Sequence, residues 1–137
     1  GNYIVNDSYA EEAGEEYIKQ TVREMDREIK RRYREYTKGE MPDLKDKTVI
    51  VVDDGLATGY TMLAAIKYVK SENPKKLIVA VPVAAQDSFE RVKEIADEVI
   101  YLHIPAFFGA VGSFYKNFMQ LEDKEVKYYL KEAKKYC

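Results

Sequence analysis

Three short apolar runs constrain the fold of this chain more than any other feature of its sequence. They are TVIVV at 48–52, KLIVAVPVA at 76–84 and EVIYLH at 98–103, and the first is the continuous β-branched run expected of a strand covered on both faces. Residues at helical spacing fill the intervals, so the order is strand, helix, strand, helix, strand. This order predicts an α/β fold in which helices flank a parallel sheet with right-handed crossovers.

A long charged helix is predicted ahead of the first strand. Its apolar residues recur every three or four positions over 15–36 and form one stripe: Ile18, Val22, Met25, Ile29, Tyr33 and Tyr36. Residues 3–7 (YIVND) are predicted as a short edge strand, and residues 37–47 as a polar loop. We therefore expect residues 1–47 to form an N-terminal part and residues 48–137 the α/β core of one domain overall.

Three further helices are expected in the core. The first covers residues 62–70 and ends before Pro74. Asp87 and Glu90 are predicted to form the N-cap and capping box of the second, which carries Phe89, Val92 and Ile95. The last covers residues 123–136, and three of its residues are expected to face inward: Val126, Leu130 and Ala133.

The composition excludes several classes of partner. The net charge of −2 over 137 residues argues against an electrostatic nucleic-acid binder. No apolar run approaches the about 18 residues that a membrane-spanning helix needs, so no membrane partner is expected. The single cysteine, Cys137, cannot form an internal disulfide, and a cytoplasmic location is therefore predicted.

The segment DDGLATGYT at 53–61 directly follows the first predicted strand. Asp53 and Asp54 therefore lie at the carboxyl end of a parallel strand, where α/β sheets bind ligands. Two glycines in the loop allow several N–H groups to converge, and the next helix adds its N-terminus. Because Thr58 and Thr61 add hydroxyl donors, a phosphate monoester is the ligand group that this loop favours.

The two carboxylates would repel the same phosphate, so they must serve another part of the ligand. They can accept hydrogen bonds from vicinal hydroxyls and hold the water shell of Mg²⁺. A phosphorylated ribose combines these groups in one molecule. Two other phosphate motifs are excluded, because no lysine follows Gly59 as in a P-loop and the glycine spacing differs from the dinucleotide fingerprint.

Residues 49–61 (VIVVDDGLATGYT) resemble the 5-phosphoribosyl-1-pyrophosphate (PRPP) signature of type I phosphoribosyltransferases. That signature is a hydrophobic strand, two acidic residues and a small-residue loop ending in T-G-x-T. The resemblance implies the Rossmann-like fold of that family and Mg²⁺ as cofactor. It implies that Asp53 and Asp54 contact the ribose hydroxyls and, through water, the metal. It also implies that the 5-phosphate is bound by five loop residues: Ala57, Thr58, Gly59, Tyr60 and Thr61.

The resemblance extends over nearly the whole chain. Residues 79–84 (VAVPVA) and 107–126 (FFGAVGSFYKNFMQLEDKEV) are similar to a bacterial and archaeal branch of predicted phosphoribosyltransferases. Ala57 departs from the members that act on 6-oxopurines, which place an aspartate base at this position, so hypoxanthine or guanine is disfavoured and no catalytic residue is assigned. No counterpart of the family's upstream pyrophosphate loop occurs in residues 1–47, and the chain opens with Gly1. We therefore expect a C-terminal part of a longer protein.

Several residues have two interpretations on sequence alone. His103 ends the third strand and is either a structural histidine or a cleft residue, and Phe107 and Phe108 either stack on a base or pack in the core. Tyr115 and Phe118 are expected in the core. Tyrosines of the last helix either contribute to a homodimer contact or pack ordinarily; they are Tyr128, Tyr129 and Tyr136.

The expected function is a Mg²⁺-dependent transfer of the phosphoribosyl group from PRPP to an unidentified base or amine in nucleotide metabolism. Catalysis would rest on positioning and on charge stabilisation at the anomeric carbon. Two alternatives remain open. The chain is either a non-catalytic regulatory domain that binds PRPP or a nucleotide 5-phosphate, or a fragment that needs another segment for activity.

Overall fold

The structure is a computed structural model that describes residues 14–37, 39, 42–133 and 135. The predicted strand at 3–7, Tyr136 and Cys137 lie outside the described residues. In chain order the elements are helix α1 (Glu15–Thr37), strand β1 (Thr48–Val52), helix α2 (Tyr60–Ser71), strand β2 (Lys76–Val83), helix α3 (Gln86–Lys93), strand β3 (Glu98–His103), a 3-10 turn (Val111–Phe114) and helix α4 (Asp123–Ala133).

The chain divides into two compact units, which we describe separately. Residues 43–117 form one of them, here called the sheet unit, and the described residues on either side form the helix unit. No helix of the described residues is both long enough and apolar enough to cross a membrane.

The sheet unit contains a parallel three-stranded sheet in the order β1-β2-β3, which confirms the predicted α/β fold. Ile50 lies opposite Ile78 in the first pair of strands, and Ala80 lies opposite Ile100 in the second. Both crossovers are formed by helices, α2 and α3, as the sequence order predicted. The strand bounds at 48–52 and 98–103 agree with the prediction.

The core of the sheet unit lies on one face of the sheet. Alternate residues of β2 are buried because successive side chains point to opposite faces, and these are Leu77, Val79, Val81 and Val83. Helix α2 contributes Ile66, and helix α3 contributes Val92, both with no exposed surface. Burying each such side chain stabilises the fold by about 1.5–3 kcal/mol.

Within the sheet unit, no helix covers the opposite face of the sheet. Ile50 is 57% exposed, Val52 72% and Leu102 83%. Within the sheet unit the first strand is therefore covered on one face only, and cover on its second face stays a prediction. The β-branched run correctly indicated a strand, but α2 and α3 leave its second face uncovered.

The predicted capping box of α3 is also wrong. Ala85 occupies the N-cap without a side-chain cap, Asp87 lies in the first turn, and Glu90 instead accepts a hydrogen bond of 2.7 Å from Gln86 Nε2. The cause is the preceding backbone, because the Ala85 N–H donates to the Leu56 carbonyl at 2.8 Å and the helix begins directly afterwards. Helix α3 ends at Lys93, so Ile95 follows it rather than lying within it.

The helix unit contains α1 and α4. Arg31 Nη1 donates to Asp123 Oδ2 at 2.7 Å, and the Tyr36 hydroxyl donates to the other oxygen of the same carboxylate. These two hydrogen bonds lower the pKa of Asp123 to about 2. Along the predicted stripe of α1, Met25 and Ile29 are exposed.

The final helix is more exposed than predicted. Leu130 is 42% exposed and Ala133 is also exposed, so the inward orientation predicted for them is wrong within the described chain; Val126 is half-buried. Tyr128 and Tyr129 are both exposed, and the choice between a homodimer contact and ordinary packing stays open for them.

Candidate functional site

The predicted site residues follow β1 along the carboxyl edge of the sheet. The Asp53 N–H donates to the Ala80 carbonyl at 3.3 Å, which extends the pairing of β1 with β2 by one residue. The chain then pairs again where Leu56 forms an isolated parallel bridge with Ala84. These contacts hold the loop from Asp53 to Gly59 across the ends of two neighbouring strands.

The two carboxylates lie side by side at the start of this loop. Asp53 Oδ1 accepts a hydrogen bond of 2.9 Å from the Asp54 N–H. Partial burial raises the pKa of Asp53; this backbone hydrogen bond opposes the rise, and the Asp54 charge adds to it. Neither carboxylate forms an ion pair with another described residue. The pair therefore concentrates uncompensated negative charge that can accept hydroxyl donors or attract a cation.

The donor set fits a hydrated magnesium ion. The described residues contain no group of three or more His, Cys, Asp or Glu side chains that would enclose a metal. Mg²⁺ commonly keeps several waters and is bound through one or two carboxylates together with substrate phosphates. Asp53 and Asp54 offer that number of carboxylates.

The second half of the loop presents hydrogen-bond donors. Gly59 has φ 74° and ψ −3°, a left-handed conformation, and forms the N-cap of α2 without a side-chain cap. Among the described residues, the N–H groups of the segment 57–61 have no hydrogen-bond acceptor. The first helical bond joins the Leu63 N–H to the Gly59 carbonyl at 2.8 Å. These N–H groups and the positive end of α2 together favour an anion.

Helix α3 donates hydrogen bonds to two carbonyl oxygens of the same loop. Ser88 Oγ donates to the Ala57 carbonyl at 2.6 Å, and Arg91 Nη2 donates to the Thr58 carbonyl at 2.7 Å. Sequence reasoning missed both residues. A signal was present for Ser88, because it lies four positions before Val92 and therefore places a polar side chain on the apolar stripe of α3.

The segment from 110 to 115 packs on the acidic end of the loop. A Cβ atom added to Gly55 would lie 2.8 Å from Val111 Cγ1 and 3.0 Å from Val83 Cγ1, so the glycine permits a close approach. The Tyr115 hydroxyl donates to the Asp54 carbonyl at 2.6 Å. Tyr115, expected in the core, is therefore a half-buried neighbour of the acidic pair.

The remaining candidates lie along the adjoining loop. The His103 and Phe114 rings have centroids 6.3 Å apart, and those of Phe108 and Phe114 are 5.2 Å apart. Phe107 is 87% exposed and Phe118 is 50% exposed, so neither is a core residue in the described structure. The base-side role of Phe107 and Phe108 stays a prediction.

A family model described as the phosphoribosyl transferase domain matches residues 2–116 of this chain. A Mycobacterium tuberculosis (strain H37Rv) protein with the provisional name of phosphoribosyl transferase Rv0571c is 38% identical over 107 residues. The uracil phosphoribosyltransferase of Mycoplasma genitalium is 38% identical over 72 residues, which are 52% of this chain and 32% of that protein. The names of both relatives therefore refer to phosphoribosyl transfer.

Among solved structures, TT1426 from Thermus thermophilus superposes on this chain with a TM-score of 0.73 and 33% sequence identity. The superposition covers 94% of this chain and 62% of that one. The match to the Mycobacterium protein covers 77% of this chain and 24% of that protein, so the chain spans about a quarter of its relative's length.

Proposed function

The chain belongs to the phosphoribosyl transferase domain family, and from this premise we propose that the loop after β1 binds PRPP together with Mg²⁺ as the donor of a phosphoribosyl group. The observation that carries the proposal is the opposite character of the two ends of one loop. Asp53 and Asp54 present uncompensated carboxylates, whereas the segment 57–61 presents unpaired N–H groups among the described residues.

Each end of the loop has a role in this proposal. Asp53 and Asp54 accept hydrogen bonds from the ribose 2- and 3-hydroxyls and hold water molecules of the metal. The N–H groups of segment 57–61, with the hydroxyls of Thr58 and Thr61, bind the 5-phosphate. Because the two ends are fixed on one sheet edge, the ribose between them is held with its anomeric carbon in a defined position.

The reaction class is the transfer of phosphoribosyl from pyrophosphate to a nitrogen nucleophile. Positive charge develops on the ribose as the bond to pyrophosphate breaks, and the carboxylates of Asp53 and Asp54 stabilise it electrostatically. Mg²⁺ held through water by Asp53 and Asp54 would supply positive charge to the pyrophosphate leaving group. The side chain of Ala57 cannot act as a general base. We therefore propose an acceptor that reacts without a general base at position 57.

Uracil is the first acceptor to assay, because a relative named uracil phosphoribosyltransferase aligns over 52% of this chain. Turnover is measured as pyrophosphate released from PRPP with uracil and with a panel of other bases and amines. Binding without pyrophosphate release for any acceptor would support the regulatory-domain alternative instead.

Calorimetry tests the proposed site directly. The protein is expected to bind PRPP in a Mg²⁺-dependent manner, and the double variant Asp53→Asn/Asp54→Asn is expected to lose that binding. A matched control is Asp43→Asn/Asp46→Asn, which removes the same charge at the amino end of β1 in the same unit. Unchanged affinity in the first double variant would contradict the site assignment.

A further inference from the structure

We propose that Ser88 and Arg91 of α3 are positioning residues that aim the N–H groups of Thr58 and Gly59 at the ligand. The proposal rests on the proposed function, in which this loop binds the 5-phosphate. It concerns two residues that do not contact the ligand in that arrangement. They act on the opposite side of the loop, through its carbonyl oxygens.

Peptide geometry connects the two sides of the loop. The Ala57 carbonyl and the Thr58 N–H belong to one planar peptide group, and the Thr58 carbonyl and the Gly59 N–H belong to the next. The described residues contain no cis peptide bond, so the C=O and N–H of each group point in opposite directions. Holding both carbonyls toward α3 therefore turns both N–H groups away from α3.

Ser88 holds the first carbonyl. It is 2% exposed, and its hydroxyl donates to the Ala57 carbonyl at 2.6 Å. The same hydroxyl accepts a hydrogen bond of 3.0 Å from Arg91 Nη2, which fixes its direction of donation. A Cβ atom added to Gly59 would lie 3.1 Å from Ser88 Cβ, so the loop rests directly on this serine.

Arg91 holds the second carbonyl. Its Nη2 atom donates to the Thr58 carbonyl at 2.7 Å, and its guanidinium carbon lies 5.7 Å from the centroid of the Tyr60 ring. The guanidinium therefore contacts the loop at Thr58 and the first residue of α2, Tyr60. A bond from a charged donor is stronger than one from a neutral donor, so Arg91 is expected to restrain the loop more than Ser88 does.

The orientation of the N–H groups can be measured without any ligand. Residual dipolar couplings of Thr58 and Gly59 in the wild-type protein are expected to fit the alignment tensor defined by β1, β2 and β3. In Ser88→Ala and in Arg91→Gln they are expected to shrink through averaging. Couplings that keep their wild-type values in both variants would overturn the proposal. Arg91 is exposed, so its variant leaves no cavity even if Ser88→Ala affects folding.

Calorimetry with PRPP and Mg²⁺ gives the functional readout. Arg91→Gln, which loses a bond from a charged donor, is expected to bind PRPP at least about tenfold more weakly than wild type. Ser88→Ala, which loses a bond from a neutral donor, is expected to bind it roughly threefold to tenfold more weakly. The affinity of both variants for ribose 5-phosphate is expected to fall by a similar factor, because the N–H groups concerned are those proposed to bind the 5-phosphate. Equal affinity of wild type and both variants would overturn the positioning role while the proposed function stands. Absence of PRPP binding in wild type would instead contradict the proposed function, and the couplings would still test the orientation.

Two control variants match the chemistry. Ser71→Ala removes a serine hydroxyl that donates to a carbonyl elsewhere, that of Tyr68 at 2.7 Å. Lys67→Gln removes one exposed positive charge from α2. Both are expected to keep wild-type couplings and affinity. A loss in Lys67→Gln equal to that in Arg91→Gln would show that net charge, rather than carbonyl positioning, causes the effect.

Discussion

The phenolic hydroxyl of Tyr115 donates a hydrogen bond of 2.6 Å to the main-chain carbonyl of Asp54. This bond joins the end of the 3-10 turn to the acidic pair, and burial together with the neighbouring carboxylate charges raises the pKa of the phenol. The hydroxyl is therefore protonated at neutral pH and remains a donor. The main chain at Asp54 is thus held by a residue 61 positions later in the chain.

Removing this hydroxyl is expected to weaken PRPP binding moderately. Tyr115→Phe keeps the ring and deletes one neutral hydrogen bond, which contributes about 0.5–1.5 kcal/mol, or roughly threefold to tenfold in affinity. The measurement is calorimetry with PRPP and Mg²⁺. Tyr68→Phe, on the exposed side of α2, is the matched control and is expected to bind as wild type does. An affinity unchanged by Tyr115→Phe would show that the acidic pair does not depend on this bond.

The close approach at Gly55 predicts a loss of stability. Gly55→Ala would place a Cβ atom 2.8 Å from Val111 Cγ1, and overpacking of this kind costs about 1–3 kcal/mol of the free energy of unfolding. Urea denaturation measures the loss. Adding Val111→Ala to the variant is expected to restore part of it. Gly109→Ala is the control, because its added Cβ would meet nothing within 4 Å. Equal stability of Gly55→Ala and wild type would contradict the packing described.

The raised pKa of Asp53 predicts a pH dependence of binding. The proposed contacts of Asp53 with the ribose hydroxyls and the metal need the ionised carboxylate, so affinity for Mg²⁺-PRPP is expected to fall as the pH drops through the raised pKa. The stability of the ligand-free protein is expected to depend on pH in the opposite direction. A pKa raised in the folded state favours folding at low pH, and this contribution is lost as the pH rises through the folded pKa. Both effects are measured by comparing Asp53→Asn with wild type across the acid range, by calorimetry for the affinity and by urea denaturation for the stability. Identical pH profiles of the two proteins would contradict the role given to Asp53.

Asp97 predicts a pH dependence of stability with the opposite sign. Its carboxylate accepts a hydrogen bond of 2.6 Å from the Leu77 N–H and pairs with Lys70, and these contacts lower its pKa. The stabilisation is therefore present above the unfolded pKa and lost as the pH falls through the folded one. Asp97→Asn is expected to lower the urea midpoint at neutral pH, with a difference from wild type that shrinks in strong acid. Glu72→Gln, which removes one negative charge just after α2, is the control.

The sequence predicted β1, β3 and the position of the loop after β1 because these features are encoded locally. The β-branched run at 48–52 and the run at 98–103 define β1 and β3 at their observed bounds, and the loop from Asp53 onward follows directly. Hydrophobic periodicity and turn residues are patterns of a few neighbouring residues, and they are sufficient to identify these elements.

The remaining features depend on contacts between distant residues. Ser88 contacts Ala57 across 31 positions, and Tyr115 contacts Asp54 across 61, so no local pattern encodes either bond. The capping box at Asp87 failed for the same reason, since the bond from Ala85 to Leu56 set the start of α3. A hydrophobic run likewise indicates that a strand favours burial, but it does not specify which distant residues pack on each face.

The bond from Ser88 to Ala57 has an entropic consequence. Ordering the backbone of a loop costs about 1–2 kcal/mol for each residue, and a loop that becomes ordered on binding subtracts this cost from the affinity. Because Ser88 is buried, its bond to Ala57 forms as the protein folds. The entropy cost of ordering this part of the loop therefore lowers the stability of the fold rather than the affinity for the ligand. The loop after β1 is thereby preorganised, and we expect the proposed ligand to bind without a slow conformational step.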